Sequence, residues 1–350
     1  MRKFLKKRGK ILALALFLVV GLSACSSPRG TDGKTKYDQI ISSEQITLQK
    51  SQINVSDISN EEVRKELEKL PEDAEITIEP TSWGQAWSQS WFDGLIVWPL
   101  AQLINVIAGV TDAGWGIILT TLLIQMVIFA FTYKSQASSQ RMQELQPEMQ
   151  RIQKKYEGKT DERSKMLMAQ ETQKLYKDND INPMGSMLMM FIQLPVMMGM
   201  YYATMRAVAV VYGTFMGMSL SVTPMDAFRT LQWGPIAVYI LMILFQILNM
   251  KLPQWMQKWQ QKKDGVKKKK YADKQEGGMM QNSMNMTMYM STALIGFMYL
   301  TWPLAMSFYW MVSSVIRTIQ SVFMHYHNVK VAKQREAEKK NRKGKSILDR

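Results

Sequence analysis

Five stretches of this chain carry no acidic residue and no lysine, and each is long enough to cross a bilayer. They cover residues 114–133, 183–204, 233–250, 282–301 and 302–325. A hydrocarbon core of about 30 Å takes about 20 apolar helical residues, and only helices and closed barrels satisfy their own backbone inside it. The last two stretches are nearly continuous; Trp302-Pro303 is the natural turn between them, because proline is favoured at a helix start. The expected fold class is an all-α membrane protein with five transmembrane helices. A sixth apolar stretch, 91–110, includes Asp93, Pro99, Gln102 and Asn105. Its Phe92, Leu95, Leu103, Val106 and Val110 fall at helical spacing, which fits an amphipathic helix lying in the interface over residues 83–112.

Charge decides between five spans and six. Lys and Arg number 44 against 29 acids, a net charge of +15, distributed unevenly. Residues 251–278 hold nine Lys and three acids, and residues 326–350 hold nine Lys/Arg and three acids. Residues 26–113 instead hold seven Lys/Arg and fourteen acids. Positive segments stay cytoplasmic. With the N-terminus outside, five spans put residues 134–180, the basic loop 251–281 and the tail 326–350 all inside, whereas six would put the tail outside. The basic runs either set topology alone or also meet a polyanion. That polyanion is anionic lipid, at about 1 kcal/mol per cation near the surface, or ribosomal RNA reached by the tail. No RNA-binding fold signature is present and DNA is not expected.

Residues 1–24 have the layout of a lipoprotein signal peptide: a basic start, the apolar run 11–22 and small residues before Cys25. Cys25 is the expected lipidation site, which holds the mature N-terminus at the outer leaflet through acyl burial. Residues 25–82 are polar and read as an extracellular linker, with a short helix at 63–70. Cys25 is the sole cysteine, which excludes a disulfide framework and a Cys-based zinc site. Two histidines, His325 and His327, offer little to a metal site or a His-dependent active site. No Gly-rich phosphate loop of the Walker type occurs, so neither enzyme chemistry nor a cofactor is expected.

Residues 134–180 are too polar for lipid. Met142, Leu145, Met149, Ile152 and Tyr156 alternate at steps of three and four, the seam of a paired helix. Gly158 interrupts the pattern, and a second helix from about 161 to 177 offers Met168, Thr172 and Leu175. The segment is a cytoplasmic helical hairpin, as a rigid spacer or as a docking surface. Asn182-Pro183 caps the next span.

Ordered motifs run through this frame: Phe92-Asp93-Gly94-Leu95 leading to Pro99-Leu100, Gly114-Trp115-Gly116-Ile117 through Thr120-Thr121, and Met142-Gln143-Glu144-Leu145-Gln146-Pro147 with Lys155-Tyr156. Leu175-Tyr176-Lys177, Asn182-Pro183, Ile192-Gln193-Leu194-Pro195, Tyr309-Trp310 and Ile319-Gln320 follow. Over residues 91–325 the chain resembles the YidC family of membrane protein insertases, in a Gram-positive lipoprotein form. The resemblance implies a five-helix core around a water-containing groove, open to the cytoplasm and sideways to lipid. It also implies nascent membrane proteins as substrates, and a Sec translocon and the ribosome as partners.

The sequence departs from the family at one position. The family carries an arginine in the middle of its first core span, where this chain has Gln125. Within the five stretches only Arg317 is charged, fourteen residues past Pro303. It either supplies the groove's cation from the fifth span or snorkels to the inner headgroups. Thr121 and Gln125, four apart on one helix face, with Gln193, Ser313 and Ser314, are candidate groove residues. Amides and hydroxyls in spans are also ordinary interhelical links, which is the reading preferred for Gln246 and Asn249. The 30 methionines suit a surface that greets many apolar shapes, or plain lipid-facing filler. A membrane chaperone that assembles helices without moving polar segments is the alternative function. A solute transporter, which normally shows an internal repeat or more intramembrane charge, fits less well.

Overall fold

The computed structural model describes residues 28–30, 35–53, 55, 58, 60–159, 161–179, 181, 184–263 and 279–348. The signal peptide, Cys25 and the lysines at 267–270 lie outside the described residues. The chain divides into two compact units. The first runs through Thr121 and adds Gln193–Tyr239 and Tyr299–Tyr309; the second comprises Leu122–Ile192, Ile240–Met298 and the chain from Trp310 onward.

Residues 35–78 are not a bare linker. Strands β1 (Ile46–Gln49) and β2 (Glu75–Ile78) pair antiparallel, Ile46 opposite Ile78. Helix α1 (Glu61–Glu68) lies between them in sequence, its N-terminal amides accepted by the Asn60 side chain. Ile58, Leu67 and Ile76 form a small buried core, with Tyr37, Ile53, Val55 and Val63 packed against it. The short helix expected at 63–70 is present two residues earlier, and the linker expectation is corrected by the apolar side chains that these strands and this helix bring together.

Helix α2 (Trp83–Gln89) is closed at its start by a reciprocal Ser82–Gln85 capping pair. A π-helical turn, Asp93–Val97, then runs into α3 (Trp98–Val110). Gly94 is required here, because a Cβ on it would sit 2.4 Å from the Trp87 ring. α3 carries its polar side chains on one face. Gln102 donates to the carbonyls of Ser42 and Thr81; Asn105 donates to Ile41 and accepts from the Ala209 amide. Leu95, Val106 and Val110 are exposed. By length and composition Asp93–Val110 is apolar enough to cross a membrane, as are Ala113–Met142 and Trp233–Gln260. The stretch expected to lie in the interface is therefore a candidate span as well.

Helix α4 (Ala113–Glu144) is continuous from the first expected span into polar sequence. It stops at Leu145, and α5 (Gln146–Lys155) begins with Pro147 in its first turn. The expected seam of one helix from Met142 to Tyr156 is thus divided, since the proline ring and missing N–H end the incoming helix. α6 (Glu162–Asp178), capped by Asp161, packs beside α5. Tyr176 donates to the Met149 sulfur, and Tyr156 donates to Glu171, which also pairs with Lys155.

The remaining helices are α7 (Met184–Arg206), α8 (Val208–Val211), α9 (Pro224–Arg229), α10 (Trp233–Lys263), α11 (Met279–Leu300) and α12 (Leu304–Leu348). A two-stranded ribbon, β3 (Thr214–Phe215) and β4 (Met218–Ser219), precedes α9. α10 extends thirteen residues beyond the expected span end at Met250. α12 carries on through the segment read as a basic tail, so that 326–348 is a helical continuation of the fifth span.

Candidate functional site

α4 is built the opposite way from a helix of a water-soluble protein. Leu122, Leu123, Met126, Val127 and Phe131 are exposed, Phe131 by 85%, whereas Gln125 and Thr132 are buried. In water that arrangement forfeits apolar burial; in hydrocarbon it is the favourable one, because the polar groups alone need protein partners. The same inversion recurs on α11, where Leu294 and Phe297 face outward, and on α12, where Ser313 and Ser314 are fully buried.

Four of the residues singled out in the sequence meet in the second unit. Gln125 on α4 donates to the Ser313 hydroxyl on α12 at 3.3 Å. The next residue, Ser314, donates to Gln246 Oε1 on α10 at 3.4 Å and accepts from an Arg317 guanidinium nitrogen at 3.0 Å. Trp310, on the same face of α12, donates its indole N–H to the same Gln246 oxygen at 2.9 Å. The Arg317 guanidinium carbon lies 5.2 Å from the Trp310 ring centroid. One turn further on, Asn249 donates to the Ser314 carbonyl and to Thr318.

The direction of the Arg317 side chain matters. Its contacts with Ser314 and Trp310 lie three and seven residues earlier, toward the start of α12 and away from the basic 330–346 segment. Helical side chains lean toward the N-terminus, and here the lean is completed by a hydroxyl and an aromatic face. Arg317 stands thirteen residues after Leu304, about 20 Å along the helix. Gln246 and Asn249, read from sequence as structural or interfacial, are the groups that link α10 to this face. The signal that could have found them is spacing within each helix: Gln246 and Asn249 stand three apart on α10, and Trp310, Ser314 and Thr318 repeat every four residues on α12, all polar-headed groups in apolar runs.

Thr121 and Gln193 fall in the first unit. Thr121 is fully buried and its hydroxyl donates back to the Ile117 carbonyl on its own helix at 2.7 Å. Gln193 Nε2 is buried without a hydrogen-bond partner among the described residues. Cys25 lies outside the described residues.

The sequence reading missed a second cation. It ended the second span at Thr204, two residues short of Arg206, which is only 3% exposed. Arg206 donates to the Gln39 carbonyl, to Asp93 and to Gln89, each at 2.7 Å. Beside it Ile41 bridges Ala207, Thr35 donates to Met205, and Arg29 donates to Ser221 and Thr301. These groups fasten Arg29, Thr35, Gln39 and Ile41 to the end of α7 and to the loops nearby.

Comparison with known proteins agrees with this picture. A family model described as 60Kd inner membrane protein matches residues 104–332. A protein of Bifidobacterium longum named membrane protein insertase YidC is 46% identical over 120 residues, 33% of this chain and 34% of that protein. One of the same name from Oceanobacillus iheyensis is 28% identical over 238 residues, 66% of this chain and 82% of that protein. The membrane protein insertase MisCA of Bacillus subtilis is 36% identical over 135 residues, 38% of this chain and 51% of that protein.

Proposed function

The chain belongs to the YidC family of membrane protein insertases, proteins of the bacterial cell membrane, and on that premise we propose that it inserts membrane proteins through a groove whose cation is Arg317. The observation that carries this reading is the polar network of the second unit. Gln125, at the family's arginine position, bonds to Ser313, and the adjacent Ser314 holds Arg317. The guanidinium is thus linked to the place where the family keeps its positive charge through two adjacent serines, Ser314 on its own side and Ser313 on the side of Gln125. Its bend toward Trp310 runs against snorkelling, which would carry the head toward the other end of the helix.

The proposed topology has five spans, with the N-terminus outside and tethered through Cys25 and the tail inside. The polar face of α3 meets the extended backbone of residues 41–42. Such backbone is excluded from hydrocarbon, so α3 lies in the interface and α4, α7, α10, α11 and α12 cross. α5 and α6 form the cytoplasmic hairpin.

Insertion on this scheme breaks no covalent bond. A substrate's polar outer segment must pass about 30 Å of hydrocarbon. A hydrated groove entered from the cytoplasm shortens that dry path, and Arg317 attracts acidic residues in the segment. A potential negative inside then drives each negative charge outward by about 2.3 kcal/mol per 100 mV. Sec translocon, ribosome and anionic lipids are proposed partners, the last two through the basic α12 extension and loop.

The test is reconstitution of purified protein in vesicles with a short single-span substrate. Arg317→Ala is expected to lower insertion at least about tenfold, the order of one buried charge contact, and Gln125→Arg in that background to restore it. Full activity of Arg317→Ala rejects the groove cation. Assembly of helices without translocation of the polar segment selects the chaperone reading, and solute flux selects the transporter.

A further inference from the structure

An arginine in a membrane helix has a long flexible stem and a headgroup region within reach, so a cation that serves a groove needs something to hold it there. We propose that Trp310 and Gln246 are positioning residues for Arg317, an inference that rests on reading Arg317 as the groove's cation. Trp310, Ser314 and Arg317 stand at i, i+4 and i+7 on α12 and so share one face. The ring of Trp310 lies under the guanidinium, at 5.2 Å from its carbon to the ring centroid, a geometry in which the negative face of the indole attracts the cation.

The hydrogen bonds fix that ring. A guanidinium has donors only, so Ser314 must accept from Arg317 and is left to donate its own proton. It donates to Gln246 Oε1, the atom that also accepts the Trp310 indole N–H. One amide oxygen on α10 therefore sets both the tilt of the indole and the direction of the serine hydroxyl. Trp310 is buried, so its indole N–H has Gln246 rather than water as partner, and loss of that oxygen leaves the ring without its anchor. Asn249 bonds α10 to α12 one turn on and keeps the register of the pair. Ser314 and Trp310 hold the head on the N-terminal side of Arg317, and Gln246 holds them. Gln246 is neutral, so it orients the cation without cancelling its charge.

The experiment uses the full-length protein in vesicles with an imposed potential, and two single-span substrates that differ only in the exported segment, one acidic and one with the acids changed to amides. The quantity read is the ratio of acidic to neutral substrate inserted, which a merely structural lesion leaves unchanged because it lowers both. Trp310→Leu and Gln246→Leu are each expected to lower that ratio about fivefold, the order of one aromatic–cation contact. Trp310→Phe, which keeps a ring face and loses the N–H, falls between them and the parent. Gln246→Glu, nearly the same shape but carrying a negative charge beside Arg317, lowers the ratio as far as Arg317→Ala does. In an Arg317→Ala background the Trp310 and Gln246 changes add nothing further, which is the double-mutant signature of acting through that residue. An unchanged ratio in Trp310→Leu while Arg317→Ala collapses it overturns the positioning role alone. An unchanged ratio in Arg317→Ala overturns the groove reading beneath it.

Discussion

Arg206 and Arg317 are both guanidiniums on apolar helices, and their surroundings separate them. Each nitrogen of Arg206 has an acceptor, a carbonyl, a carboxylate and an amide oxygen, and the result is a tie between the end of α7 and residues 39, 89 and 93. Arg317 instead meets the Ser314 hydroxyl and the Trp310 ring on its own helix. The first arrangement suits a fastening. Removing one member of a buried pair strands the other, at about 3–5 kcal/mol. Asp93→Asn should therefore lower stability by about 3 kcal/mol, read as an earlier near-ultraviolet unfolding midpoint in detergent and faster proteolysis of residues 28–81. Arg206→Lys should not rescue it, because a compact ammonium cannot reach three acceptors arranged for a planar fork. Both charges were visible in the sequence, as Asp93 beside Gly94 and as a lone Arg after Met205. Their pairing was not, because 113 residues separate them.

Elements with strong periodicity were legible, and elements assembled from scattered residues were not. The long apolar runs announced α4, α7 and α10–α12 because about 20 uncharged residues leave few alternatives. The β1–β2 pair escaped notice because each strand has four residues, its partner is far along the chain, and its three-residue core comes from three separate segments. The break at Leu145 is legible in hindsight from Pro147, which the heptad-like spacing of Met142 to Tyr156 overrode. Pairing of α5 with α6 also carries a pH dependence. Hydrogen bonds from Lys155 and then Tyr156 hold the Glu171 carboxyl below its ordinary 4.5, and the Ser164 amide does the same for Asp161 below 3.8. A carboxyl lowered on folding stabilises the folded form above its ordinary value and loses that contribution as pH falls through the lowered one. Protection of the α5 and α6 amides, measured relative to their intrinsic exchange rate at each pH, should therefore hold down to about pH 4.5 and fall below it, and Glu171→Gln should flatten the profile. An unchanged acid profile in Glu171→Gln would remove Glu171 as the titrating group.

For the whole molecule, the inward polar and outward apolar faces are what tie sequence to location. The length of the apolar runs pointed to candidate spans but could not say which face of α4 or α12 turned inward, because that depends on neighbours far along the chain. The proposal that 93–110 lies flat rather than crossing draws on Gln102 and Asn105 bonding to extended backbone. That makes a topological prediction with two distinct outcomes. In a Cys25→Ala background, single cysteines at the exposed positions Ser88, Ala169, Ser219 and Gln334 are labelled in intact cells with a membrane-impermeant thiol reagent. If α3 lies in the interface, Ser88→Cys and Ser219→Cys label from outside, whereas Ala169→Cys and Gln334→Cys label only after lysis. If α3 crosses, position 88 moves to the side of position 169 and parts from position 219, because one more crossing then separates it from everything downstream. Charge favours the first pattern: the acidic 26–113 segment carries half as many basic residues as acids and gives no reason to stay inside, whereas the lysines after Met250 and on α12 give a strong one.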